Sequence, residues 1–211
     1  MISVIFDIGR VLVPEGQRVP MLLAALADAG FQISEQDFNE AYWGLRDEYD
    51  LGLADEQYWG SVLSQLGLTK EQQSQVSYHE LASVDGNRNA VLGAESAELV
   101  QWLVSLDVPL ALLSNAPVSM VKAVRASQWS HYFKAAVFSS EVGVAKPDPE
   151  IYRIAHAKVT ERIGETPAED IIFFDDREKN IRAAVDAGWD AYLWEGADRA
   201  RAVINNRLNE L

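Results

Sequence analysis

Val4-Ile5-Phe6-Asp7-Ile8-Gly9 and Ile171-Ile172-Phe173-Phe174-Asp175-Asp176 bracket the part of the chain whose reading decides the fold. Each is a short apolar run cut off by a carboxylate. Similar runs recur at residues 108–113, 135–138 and 191–194, each about four to six residues long and mostly apolar throughout rather than alternating. Strands buried on both faces of a parallel sheet read this way. Segments with helical periodicity lie between them, at residues 94–106, 118–128, 149–160 and 180–188. Such alternation predicts right-handed strand–helix–strand units and a doubly wound, Rossmann-like α/β sheet.

One stretch breaks the alternation. From about residue 18 to residue 82 the pattern is helical, with no strand. Met21, Leu22, Ala25, Leu26 and Ala29 mark an apolar face on a first helix. Ser34 is placed to cap a second, with Asp37 at its third position, Asp55 to cap a third and Thr69 a fourth. The third carries Tyr58, Trp59, Val62, Leu63 and Leu66 on one side. The expected organisation is a core of residues 1–16 and 84–211 interrupted by an all-helical insert of residues 17–83.

Composition narrows the function classes. A chain of 211 residues with 48% hydrophobic and 24% charged residues is ordinary for a globular protein with one sizeable core. It has no apolar run near the roughly 18 residues a membrane helix needs. The start lacks a basic segment and has an Asp within its apolar run, unlike a signal peptide. With no cysteine, disulfides, thiol nucleophiles and thiolate zinc sites are excluded, and the simplest expectation is a cytoplasmic protein. A net charge of −14, with 18 basic against 32 acidic residues, argues against nucleic acid as a partner. An anionic substrate would then depend on local cations or a metal ion. Nothing resembles a heptad seam or a defined interface, so the sequence does not indicate an oligomeric state.

Ligands of open α/β sheets bind beyond the carboxyl ends of the strands, and four segments follow predicted strands. Asp7 is placed to attack phosphorus or hold a metal, although Asp7 with Gly9 also suits a simple turn. Ser114 and Asn115 precede Pro117 and a helix, where main-chain N–H groups favour an anion; both are also common helix caps. Lys146, before the Pro147-Asp148-Pro149 helix start, can neutralise a phosphate or hold a carboxylate, or can be a solvated loop lysine. Asp175 and Asp176 repel each other at a buried strand end, and a hard cation such as magnesium relieves that repulsion.

In this order and spacing, Asp7, Ser114-Asn115, Lys146-Pro147 and Asp175-Asp176 resemble the signature of the haloacid dehalogenase superfamily, over nearly the whole chain. The helical insert resembles the cap of its first subclass. Ser114-Asn115-Ala116-Pro117 and Phe173-Phe174-Asp175-Asp176 look closest to a bacterial branch that includes α-D-glucose-1-phosphatase. The resemblance implies a Mg2+-dependent phosphatase acting on a small phosphorylated molecule through an aspartyl-phosphate on Asp7. It implies that Ser114, Asn115 and Lys146 bind the phosphoryl group and that Asp7, the Gly9 carbonyl and Asp176 hold the metal, with Asp175 either a direct ligand or supporting the ligands from behind.

Two departures qualify the resemblance. Most phosphatases of the superfamily carry a second Asp two positions after the nucleophile, as general acid and base, where this chain has Gly9. General acid–base catalysis contributes about 10² to 10⁴ in rate, so its absence predicts a preference for good leaving groups. His79 is a remote substitute. The other departure is Arg10, where relatives often have Asn or Gly; it either faces solvent or contacts substrate. Tyr42, Trp43, Tyr49, Tyr58 and Trp59 are expected mostly in the insert's core, with one or two facing the cleft. The competing expectations are a 2-haloacid dehalogenase, disfavoured by Gly9 and the acidic pair, and a catalytically silent binding protein that keeps the fold.

Overall fold

Every residue of β1 (Ser3–Phe6), β2 (Leu110–Ser114) and β4 (Ile171–Asp175) is buried. That is why the sequence shows unbroken apolar runs there. Val4, Phe6, Leu110, Leu112, Ile172 and Phe174 enter one core cluster. Their neighbours Ile5, Ala111, Leu113, Ile171 and Phe173 enter another on the opposite face. Each fully buried Phe or Ile stabilises the sheet by about 1.5–3 kcal/mol as an upper estimate. In the computed structural model, residues 2–16 and 18–210 are described. With β3 (Phe133–Phe138) and β5 (Asp190–Leu193), the strands form one parallel sheet in the order β3-β2-β1-β4-β5. The order reverses at β1, which puts the ligand crevice beyond its carboxyl end.

The long stretch after β1 is helical, as its pattern predicts: α1 (Arg18–Asp28), α2 (Glu35–Gly44), α3 (Arg46–Asp50), α4 (Asp55–Gln65), α5 (Lys70–Gln73) and α6 (Tyr78–Arg88). They share a separate apolar cluster around Phe38, Tyr42, Tyr49, Tyr58 and Trp59. The Ser34 hydroxyl accepts from Asp37 N at 3.1 Å, and Thr69 forms a reciprocal capping box with Gln72. Asp55 does not cap α4. It is the first helical residue, after Ala54, and its carboxylate accepts from the Tyr49 hydroxyl at 2.7 Å.

The four expected helices are joined by two more. Helix α3 is a single turn, too short to show a period. Helix α6 contains Gly86, a poor helix former, and runs across residues 83 and 84. The glycine is there for packing: a Cβ would stand 2.7 Å from the carbonyl oxygen of Ser119. Of the outer limits expected for the insert and core, residues 1, 17 and 211 lie outside the described residues.

The remaining helices cover the sheet. On one face lie α7 (Ala94–Ser105), α8 (Val118–Ala126) and, after the short α9 (Ser139–Val142), α10 (Pro149–Ile163) and α11 (Glu178–Asp186) on the other; α12 (Ala197–Asn209) returns to the first. The helical insert meets this core through α6, which packs along α8, and through a few polar contacts. Ser139 Oγ donates to the Asp50 carbonyl and accepts from Ala116 N, and Tyr49 OH lies 3.0 Å from Ser119 Oγ. No described helix is long and apolar enough to cross a membrane.

Candidate active site

Strand register assembles the site. Phe6 is level with Leu112 on β2 and Phe174 on β4, so the next residue of each strand emerges at the same edge. Asp7, the first residue past β1, anchors its N–H on the Phe174 carbonyl at 2.9 Å. Asp175 ends β4 beside it, and Ser114 ends β2 with its side chain hydrogen-bonded to Asp7.

Lys146 reaches this edge from the loop between α9 and α10. Its Nζ lies 3.0 Å from Asp7 Oδ1 and donates to Asp175 Oδ2 at 2.6 Å and to the Leu113 carbonyl at 2.9 Å. The loop is held by Asn115, whose amide donates to the Lys146 carbonyl at 3.0 Å and whose oxygen accepts from Lys146 N at 2.8 Å. The Asn115 side chain is therefore committed to positioning Lys146, although the residue lines the cleft.

The two members of the acidic pair differ. Asp175 Oδ1 accepts from Arg177 N at 2.8 Å and Asn180 Nδ2 at 2.9 Å; its Oδ2 accepts from Lys146 and, at 3.0 Å, from Asn180 Nδ2. About four lone-pair sites are available to a carboxylate, so Asp175 is saturated by protein donors. Asp176 is partly exposed to the cleft, with Arg10 Nη1 3.8 Å away. Oxygens of Asp7, Asp175 and Asp176 all lie within 4.8 Å of one another.

These charges do not balance. Burial pushes the Asp7 carboxyl up to about 6, against the pull of Lys146 and with a further push from Asp175. Burial and Asp175 also raise Asp176. Burial works against the Lys146 charge, yet Asp7 and Asp175 hold its pKa above the usual lysine value. Three carboxylates face one ammonium and, 3.8 Å from Asp176, a guanidinium already bonded to Glu15; that excess of negative charge, with only oxygen donors, fits a hard divalent cation.

The cleft above this edge has a volume of about 280 Å³ and includes Gly9, Arg10, Ser114, Asp176 and, from the helical insert, Trp43, Arg46 and Asp50. Arg10 takes a left-handed backbone conformation, φ 60, strained for a residue with a Cβ. Its guanidinium faces the cleft, bonded to Glu15 at 2.5 Å. Of the five expected aromatics, Tyr42, Tyr49, Tyr58 and Trp59 are fully buried and Trp43 lines the cleft. His79 is exposed on α6 and outside the cleft. Asn180 is a positioning residue that the sequence shows near the acidic pair without revealing its role. The arginines of the insert carry no local signal at all.

Residues 3–188 match the haloacid dehalogenase-like hydrolases. The chain belongs to this family. It is a hydrolase with the family's α/β fold. Over 92 residues it is 33% identical to the phosphorylated carbohydrates phosphatase of Thermotoga maritima, covering 43% of this chain and 40% of that one. The chain spans between 30% and 40% of the length of the curated relatives it matches. Among solved structures, it is similar to the magnesium-bound HAD-hydrolase YfnB of Bacillus subtilis, with TM-score 0.75, 16% identity and 96% and 98% of the two chains covered. It is also similar to the L-2-haloacid dehalogenase RSc1362, with TM-score 0.62, 19% identity and 92% and 86% covered. A fold shared with a dehalogenase does not choose the reaction; the chemistry of the site must.

Proposed function

We propose that the protein is a magnesium-dependent phosphatase that hydrolyses a small phosphate monoester, a sugar phosphate among the candidates, through an aspartyl-phosphate on Asp7. The observation that carries this reading is the excess of carboxylate over ammonium at the strand ends, where Lys146 bridges Asp7 and Asp175 within reach of Asp176. A dehalogenase acting on carbon without a metal has no use for that excess.

Asp7, the Gly9 carbonyl and Asp176 would hold the ion, with Asp175 bracing the site through Lys146 and Asn180. Bound there, magnesium neutralises charge on the phosphoryl oxygens and lets them approach an anionic nucleophile. Asp7 supplies the attacking oxygen: its bond to phosphorus forms as the bond to the leaving oxygen breaks, and water then hydrolyses the acyl phosphate. Lys146 keeps Asp7 ionised and pairs with the transferring group. The Ser114 hydroxyl moves from Asp7 to donate to a phosphoryl oxygen. Asn115 keeps Lys146 in place.

No carboxyl stands two residues after Asp7, so the leaving group departs with little help from a proton. The α1–α6 insert serves as the cap, setting specificity from residues such as Trp43. Phosphate release is to be measured on α-glucose-1-phosphate, glucose-6-phosphate and p-nitrophenyl phosphate, with magnesium, with chelator and with Asp7→Asn. The expected result is turnover that needs magnesium, falls by on the order of 10⁴-fold or more in Asp7→Asn, and rises steeply with leaving-group quality. No release from any ester, with magnesium still bound, sinks the reading and favours a silent binding protein, as the glycine at position 9 would suit.

A further inference from the structure

Three arginines from the helical insert line the cleft, and two of them are neutralised within the protein. Arg46 bonds Asp50 at 2.7 Å and Asp85 at 3.0 Å. Arg18 lies 3.8 Å from Asp85 and donates to Asn89 at 3.2 Å. Arg88, the last residue of α6, has neither a hydrogen bond nor an ion pair among the described residues, and its Nε is shielded from solvent. Its Nη2 lies 3.6 Å from where a Cβ on Gly16 would stand, so the guanidinium rests against the segment leaving Asp7.

This is an unusual place for an idle cation. The chain has 32 acidic residues against 18 basic ones, so carboxylate partners are plentiful. A guanidinium does not lose its charge by deprotonation, and a shielded N–H without an acceptor is destabilising. The negative end of the α6 dipole offsets part of that, but the side chain donates to none of the helix's terminal carbonyls. The enclosed Nε cannot itself meet a ligand; the charge that an anion entering the cleft would meet is carried by the unpaired terminal nitrogens of this cleft-lining residue.

We propose that Arg88 receives a second anionic group of the substrate, a carboxylate or a second phosphate, while Lys146 and Ser114 hold the transferring phosphoryl group. The proposal rests on the phosphatase reading for the first anion and narrows the substrate to small phosphate esters with a second anionic group. A cleft of about 280 Å³ suits such a molecule. A charge-assisted hydrogen bond here corresponds to about 10- to 100-fold in affinity.

The test uses the Asp7→Asn protein with magnesium, so that binding is read without turnover. Titration calorimetry compares glycerol 3-phosphate with 3-phosphoglycerate, and fructose 6-phosphate with fructose 1,6-bisphosphate. In at least one pair the member with a second anionic group binds about 10- to 100-fold tighter. Adding Arg88→Gln abolishes that preference, and Arg88→Lys keeps part of it. The pair that responds distinguishes carboxylate from phosphate. Equal affinities within both pairs, a preference that survives Arg88→Gln, or binding of none of the four overturns the proposal. Failure of the phosphatase reading shows separately, as absent phosphate release by the wild-type protein.

Discussion

Two buried ion clusters lie on either side of the same cleft, and they are built to different rules. In the helical insert, Arg46 and Arg18 meet Asp50 and Asp85, with Tyr42 donating to Asp85 at 2.6 Å. Two guanidinium groups there balance two carboxylates. At the strand ends, Lys146 pairs with Asp7 and Asp175. Among the described residues Asp176 has only Arg10 at 3.8 Å, a guanidinium already bonded to Glu15, so three carboxylates face fewer cations. The first cluster is complete and holds helices together. The second is short of positive charge, which is what the proposed cation would supply. Buried ion pairs are thus not equivalent evidence: the sum of charges separates scaffold from chemistry.

The largest expected effect is on the balanced cluster. Asp85→Ala leaves Arg46 with Asp50 as its only carboxylate partner in a buried place, and breaking a buried pair this way destabilises by about 3–5 kcal/mol. Denaturant unfolding should show that loss, with a smaller relative change in turnover by the protein that remains folded. A change below about 1 kcal/mol would mean the insert's cluster is as open to solvent as a surface pair.

Asp176→Asn should do the opposite. The half-saturating magnesium concentration rises by at least about tenfold, while thermal stability in chelator stays level or rises, because repulsion with Asp175 is removed. Activity titrated against magnesium, with a parallel melting curve, checks both. Lower stability in chelator would mean that Asp176 belongs to the scaffold after all.

The last effect is a pH dependence. The folded-state pKa of Asp7 is raised to about 6 from 3.8, so the ionised carboxylate is disfavoured in the metal-free protein. A raised carboxyl contributes stability that is present below the unfolded value and lost as pH rises through the folded one. In chelator, the stability of wild type relative to Asp7→Asn should therefore increase as pH falls from 7 towards 4, by roughly 1 kcal/mol per unit below pH 6. A gap that does not move with pH would show that Lys146 already compensates Asp7 fully.

Much of this was legible along the chain because it is encoded locally. A strand buried on both faces must be apolar throughout, so the runs ending at Phe6 and Phe174 announce themselves and point at the carboxylates beyond them. Caps at Ser34, Thr69 and Asp148 depend on residues two or three positions away. The cap placed at Asp55 failed because Tyr49, from another helix, binds that carboxylate. Helix α6 was hidden because Gly86 weakens it locally for the sake of a contact with Ser119.

What the sequence determined by itself was the fold class, the family and the residues at the strand ends, since periodicity and motif order survive without coordinates. Only the tertiary structure decided how those residues divide their work: that Asp175 is saturated while Asp176 faces the cleft, that Asn115 clamps Lys146, and that Arg46 is neutralised while Arg88 is not. Lys146 reaches Asp175 across 29 positions, Asn115 reaches Lys146 across 31 and Arg46 reaches Asp85 across 39, and the balance of charge is summed across elements. Electrostatic balance and desolvation are properties of the packed assembly, and no window of sequence contains them.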